Sequence, residues 1–306
     1  MASFFDEIAR NRIKSILMLL IFGAFFCIII TFVSYYFGLS IELGLVISGI
    51  VLLIYGLFVY YSGDKFVLKT SGAKPADKAE YPTLYSALEG LAAAQQIPMP
   101  KVYVINDQNP NAFATGRNKK HASIAVTTGL LAIMDRSELE AVIAHEASHI
   151  GNNDIQFMMI AIVFAGAIGI IAGILRMSFF FGGPGGRRNG ESAGILLLIG
   201  LIVGLLAPFF AMLIRLAISR RREYMADANG ARMTRDPASL ASALGKIKDF
   251  TQNPQKAAAA KQSGNYANPV TTYLYFSNPI NMQSVTNLFS THPPIDERIK
   301  RLQNMH

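Results

Sequence analysis

His145, Glu146 and His149, in the run Ala144-His145-Glu146-Ala147-Ser148-His149-Ile150, are the residues whose types and spacing could do chemistry together. A helix turns about 100° per residue, so side chains four apart return to within roughly 40° of one another. On a helix the two imidazoles leave one face, a turn apart, and can share a single cation. Imidazole nitrogen suits zinc, and a catalytic zinc keeps three protein ligands and an open position for water. Glu146, directly after the first histidine, can reach that water as a general base. The same residues could equally mark an exposed helix face or a structural metal site, so their surroundings must decide.

Those surroundings favour a buried helix. Ser137 with Glu140 three residues on reads as a capping box, and Leu139, Val142, Ile143, Ala144 and Ile150 fall at helical spacing. Upstream, Tyr81 to Gln96 has helical spacing and stops at Ile97-Pro98-Met99-Pro100. Lys101 to Ile105 alternates as a strand does, Asn111 to Gly116 and Ala122 to Val126 are two more strands, and Gly116 to His121 is the turn between them. Strands followed by a metal-binding helix predict an α+β, zincin-like arrangement, mainly helical with a small sheet and with an edge strand beside the metal helix.

The chain of 306 residues is 52% hydrophobic and has no tryptophan. Apolar runs long enough to cross a bilayer lie near residues 15–37, 41–61, 155–181 and 193–218. The expected organisation is a cytoplasmic lead (1–14), a two-span hairpin (15–61), the first half of the protease domain (62–154), a second two-span hairpin (155–218) and the second half (219–306). In that second half, Arg220 to Met233, Pro237 to Lys248 and Ile295 to Leu302 are helices, and Gln252 to Asn265 is a polar loop. The net charge of +8 comes from basic residues crowded beside the apolar runs, among them Arg10, Arg12, Lys14, Lys65, Lys69 and Arg220 to Arg222. Cytoplasmic flanks and anionic headgroups select that pattern, and no nucleic-acid motif accompanies it. Arg176, Arg187 and Arg188 fall in the exterior loop against this rule, but the inner flanks hold many more basic residues. The single cysteine, Cys27, lies in the first apolar run, which excludes a disulfide framework and a thiolate zinc site. That run is too long for the h-region of a signal peptide and reads as a retained anchor.

The hairpin indicates where a third ligand would lie. His149 precedes the third run by six residues, and Glu223 follows the fourth by five. At 1.5 Å per residue both stand roughly 8–9 Å outside the hydrocarbon. The matching height singles out Glu223, against the alternative of a glutamate paired with nearby arginines. Asp227, four residues on, shares its face and could accept a hydrogen bond from a ligand imidazole.

Four separated motifs now stand in order: His145-Glu-Ala-Ser-His149, Glu223-Tyr-Met-Ala-Asp227, Asn111-Ala-Phe-Ala-Thr-Gly116 and the tail Thr291-His292-Pro293-Pro294 with Arg298-Ile299. Together they resemble the M48 zinc metallopeptidases, in particular the HtpX-type membrane proteases of bacteria, over essentially the whole chain. The resemblance implies a multi-pass protein of the bacterial inner (plasma) membrane, with its protease domain and both termini cytoplasmic, that cleaves damaged membrane proteins under stress. It implies one zinc per chain on His145, His149 and Glu223, with Glu146 as base. Ala147 stands where these proteases usually carry Leu, on the side away from the metal. His292 and Arg298 match the family's tail. His292 could meet the transition-state oxyanion or make a structural hydrogen bond before a helix; His121 and His306 read as surface residues.

Polypeptide substrates, chiefly membrane proteins, would lie extended along Asn111, Ala112, Phe113 and Ala114, held by main-chain hydrogen bonds with little sequence preference. Two other readings compete. A non-proteolytic membrane scaffold or conduit should carry intramembrane charges, yet apart from Glu42 near the outer interface the runs hold almost none. A prenyl-protein endopeptidase could use the same motif, but that relative carries more than four spans.

Overall fold

The computed structural model describes residues 38–156, 220–253 and 293–305, with scattered positions among 13–35 and at 159 and 255. Most of the first, third and fourth apolar runs, His292, His306 and nearly all of the 254–265 loop lie outside the described residues. The chain divides into two compact units, Met1–Asp64 and Lys65–His306.

Helix α1, Ile41–Thr70, is 30 residues long, and only 17% of its most apolar stretch is buried. Leu45, Ile50, Leu53, Ile54, Leu57 and Phe58 stand exposed along it, as on a helix solvated by lipid. Among the described residues it alone is long and apolar enough to span a bilayer. It also outlasts the expected 41–61 run: Lys65 and Lys69 lie on the same continuous helix.

In the second unit, strands β1 (Ala73–Pro75), β2 (Lys101–Ile105), β3 (Ala112–Gly116) and β4 (Ala122–Thr127) form one sheet in the order β1-β2-β4-β3. The β2–β4 pair is parallel, and the two outer pairs are antiparallel. β1 carries Pro75, which an edge strand tolerates because its missing N–H need not face a partner. Every residue of β3 and of β4 is buried, because the sheet is covered on both faces. Val102, Val104, Ala112, Ala114, Ile124 and Val126 join the main core. The alternate residues Ile105, Phe113 and Ala125 pack with Val67 and Leu68 from the end of α1. At Gly116, φ is +145°, and an added Cβ would come within 2.3 Å of the His121 carbonyl oxygen. Only glycine fits that turn.

The α-helices of this unit among the described residues are α2 (Pro82–Gln95), α3 (Thr128–Ile133), α4 (Arg136–Gly151), α5 (Arg220–Thr234), α6 (Pro237–Gln252) and α7 (Ile295–Gln303). The unit is thus mostly helical with a small mixed sheet. The cap of α4 lies two residues before the expected one. Asp135 accepts from the Glu138 N–H at 2.9 Å, and Glu138 accepts from the Asp135 N–H at 2.9 Å. Ser137 instead donates its hydroxyl to Asp135, so it is not free to cap. α6 also runs to Gln252, beyond the expected Lys248.

Candidate metal centre

Helix α4 lies through the main core and carries His145, Glu146 and His149, all buried. Their Nε2 atoms approach to 3.2 Å, with ring planes at 84°. Helix α5 crosses α4 closely enough that a Cβ on Gly230 would sit 3.1 Å from the His145 backbone nitrogen. Glu223 and Asp227, seven and three residues before that glycine, share its face and come down beside the histidines. Glu223 lies 3.7 Å from His145 Nε2 and 3.6 Å from His149 Nε2. One ligand atom from each of His145, His149 and Glu223 fits within a 4.8 Å spread.

The other ring nitrogens have carboxylate partners too. His145 Nδ1 is 3.0 Å from Asp227, and His149 Nδ1 is 3.2 Å from Asp154. Each carboxylate faces a guanidinium. Arg298, on α7, donates to Asp227 from Nε at 2.9 Å and from Nη2 at 2.7 Å. Arg222 Nε stands 3.7 Å from Asp154. Arg301 stacks on the Tyr224 ring at 3.7 Å, a second tie between α7 and α5.

Glu146 is reached by the Ala114 backbone N–H. Thr127 donates to the Asn111 carbonyl across the β3–β4 pair, and alternation along an antiparallel ladder then turns Ala112 and Ala114 toward the open edge. Glu146 therefore sits beside an edge that no strand pairs among the described residues. Burial raises its carboxyl above the ordinary value and Glu223 adds to this, while the two imidazoles and the Ala114 N–H oppose. Burial also works against the Asp227 carboxylate, but Arg298 and the bond with His145 outweigh it and hold Asp227 at about 2.

Two observations test whether a divalent cation fits here. A tetrahedral zinc with bonds of about 2.0–2.1 Å needs its ligand atoms roughly 3.3 Å apart; the two Nε2 atoms stand 3.2 Å apart, and each has a Glu223 oxygen near it, Oε1 at 3.6 Å from His149 and Oε2 at 3.7 Å from His145. Charge agrees with distance. Among the described residues, four buried carboxylates (Glu146, Asp154, Glu223, Asp227) face two buried guanidiniums (Arg222, Arg298), a formal deficit of two positive charges when the imidazoles are neutral. A buried deficit of that size is unfavourable unless neutralised, and one divalent cation cancels it. With no cation, burial pulls His149 down, but the bond to Asp154 and the charges of Glu223, Asp154 and Glu146 lift it to about 9. A proton then covers part of the deficit.

The structure thus brings together His145, Glu146, His149, Glu223, Asp227 and Arg298, with Asn111, Ala112, Phe113 and Ala114 on or beside the neighbouring edge strand. His121, by contrast, is exposed and bonded to Asn118. Asp154, Arg222 and Gly230 are additions that the sequence reading missed. On a continued helix Asp154 would point roughly 140° away from His149, five residues earlier. It meets the ring only because α4 stops at Gly151 and Asn153 turns the chain at φ +60°.

A helix bearing H-E-x-x-H, packed on an edge strand and completed by a glutamate from a later helix, defines a metal-dependent peptidase. The model of peptidase family M48 matches residues 78–306. The chain belongs to that family and is a metalloendopeptidase. It is 43% identical over 300 residues to a "Protease HtpX homolog" of Caldanaerobacter subterraneus subsp. tengcongensis, covering 97% of this chain and 96% of the relative. A "Protease HtpX homolog" of Dictyoglomus turgidum is 42% identical over 305 residues, with 99% and 95% covered. One of Streptococcus gordonii is 38% identical over 305 residues, with 98% and 99% covered. With the lipid-type surface of α1, the chain is a membrane metalloprotease. Among solved structures, the crystal structure of S. mikatae Ste24p gives a TM-score of 0.49 at 17% identity, covering 96% of this chain and 67% of that one.

Proposed function

We propose that the protein is a membrane-integral zinc endopeptidase that cleaves damaged or misfolded membrane proteins on the cytoplasmic side. The observation that carries the site is the convergence of His145, His149 and Glu223 donors within 4.8 Å, with Glu146 adjacent on α4. These three side chains would hold a zinc, which when bound would supply Lewis acidity to the scissile carbonyl and to the attacking water.

The chain's own groups do the rest. Glu146 accepts the proton of the attacking water on its carboxylate and then delivers it to the nitrogen of the departing amine. Its raised pKa suits both halves of that transfer. An extended substrate adds to the outward-facing backbone of β3, which requires little of its side chains. Asp227, gripped by Arg298, keeps the His145 Nδ1 proton in place and its Nε2 free.

The proposed membrane layout is two helical hairpins, 15–61 and 155–218, flanking the protease halves 62–154 and 219–306, with both termini cytoplasmic. The ligand-bearing helices then lie within about six residues of the bilayer, so the zinc stands roughly 10 Å outside the hydrocarbon. Such a site reaches loops and tails of membrane proteins, not bonds within their spans. Metal analysis of the detergent-purified protein, paired with cleavage of a model membrane substrate in vesicles with and without chelator, tests the proposal. One zinc per chain, chelator-sensitive cleavage and product ends in cytoplasmic segments are expected. Chelator-resistant cleavage, or product ends mainly inside apolar spans, would overturn it.

A further inference from the structure

Each histidine of the site faces a carboxylate backed by a guanidinium, Arg298 hydrogen-bonded to Asp227 and Arg222 at ion-pair distance from Asp154. On the His145 side the chain of contacts is His145–Asp227–Arg298. On the other it is His149–Asp154–Arg222, at 3.2 Å and 3.7 Å. Asp154 is 6% exposed and Arg222 5%, so neither is a solvated surface charge. We infer that Asp154, braced by Arg222, is the positioning residue that aims His149 Nε2 at the cation. The inference rests on the proposed reading of His145, His149 and Glu223 as metal ligands.

The geometry is specific to that task. Asp154 meets Nδ1, the nitrogen across the ring from the one that faces His145 and Glu223. A carboxylate there fixes the proton on Nδ1 and leaves the Nε2 lone pair for a metal. Its approach depends on the left-handed turn at Asn153, φ +60°, a conformation that asparagine adopts more readily than most residues. Arg222 directly precedes Glu223 on α5, so one turn of helix supplies a ligand to the cation and a brace to the opposite ligand's partner.

The test uses the full-length, detergent-purified protein and zinc itself. Zinc affinity is read by competition with a chromogenic chelator, and the melting temperature of the cation-free protein is read in parallel. Asp154→Ala should weaken zinc binding about 10–100-fold, as loss of an outer hydrogen-bond partner does. Asp154→Asn should fall between that variant and wild type, because its amide oxygen still accepts from Nδ1. Arg222→Gln should weaken zinc less than Asp154→Ala does, and add no further loss when combined with it. Glu138→Gln is the control for a purely structural carboxylate. Glu138 is buried on the same helix but paired with Lys246 and Ser242, so its loss should lower the melting temperature and leave zinc affinity unchanged. Zinc affinity within about twofold of wild type in Asp154→Ala, or in Asp154→Asn should the alanine variant not fold, contradicts the inference. An equal loss in Glu138→Gln does so too, by showing general destabilisation. No zinc on the wild-type protein would instead overturn the metal reading itself.

Discussion

The two ends of α4 both bury charge, and they do so in opposite ways. At its first turn Glu138 receives Lys246, the Ser242 hydroxyl and the Asp135 N–H, so one carboxylate is answered by one ammonium and two donors. At its last turns, among the described residues, the buried acids outnumber the buried guanidiniums by four to two. The first end is a closed account of charges within the chain. The second closes only with something added. Burial of charge is therefore no guide to function by itself; an imbalance gathered around two imidazoles is.

That contrast can be broken most forcefully at Glu223. Glu223→Ala removes a donor from the unbalanced end, and zinc affinity should fall by more than the roughly 10–100-fold expected for an outer partner. Full zinc stoichiometry at micromolar metal would place the third ligand elsewhere. Asp227→Ala should lie inside that 10–100-fold range, and a chelator-competition titration separates the two.

The pH dependence sharpens the same comparison. In the cation-free protein His149 titrates at about 9, against an ordinary 6.5. A raised folded-state pKa contributes stability that is fully present below about 6.5 and is lost as pH rises through about 9. The cation-loaded protein, whose imidazole carries no such proton, lacks that loss. The melting temperature gained on adding zinc should therefore widen between pH 6.5 and pH 9, and a gap that narrows would contradict the charge argument.

The smallest effect belongs to the balanced end. Glu138→Gln keeps an oxygen for the Asp135 N–H but removes the charge paired with Lys246, whose side chain is 41% exposed. The cost should be about 1 kcal/mol or less of stability by denaturant unfolding, with no change in zinc content.

Much of this was legible in the sequence where the signal is local. Periodicity marks α4, α2 and strands β2 to β4 to within a residue or two, and H-E-x-x-H spacing fixes which face of α4 meets a cation. The expected span register singles out Glu223, and the structure sets its carboxylate 3.6–3.7 Å from the two imidazoles. The misses have two causes: contacts between segments distant in sequence, and local backbone choices that the residue types leave open. β1 is three residues with a proline and exists because β2 offers it a partner. Gly230 is needed only because α5 crosses His145 there. Asp154 lies off the histidine face until the helix stops and Asn153 turns the chain. The cap moved from Ser137 to Asp135 because both residues suit the position and Glu138 chose between them by answering Asp135.

The central claim is that the unbalanced end of α4 holds a zinc beside a proton-transferring carboxylate. Glu146→Gln tests it most directly, since it keeps His145, His149 and Glu223 and removes only the base. Zinc content and casein cleavage should be measured on the same purified sample. The account predicts one zinc per chain with hydrolysis lowered by at least about 10²–10⁴-fold. Near-wild-type cleavage by the zinc-loaded variant would contradict it.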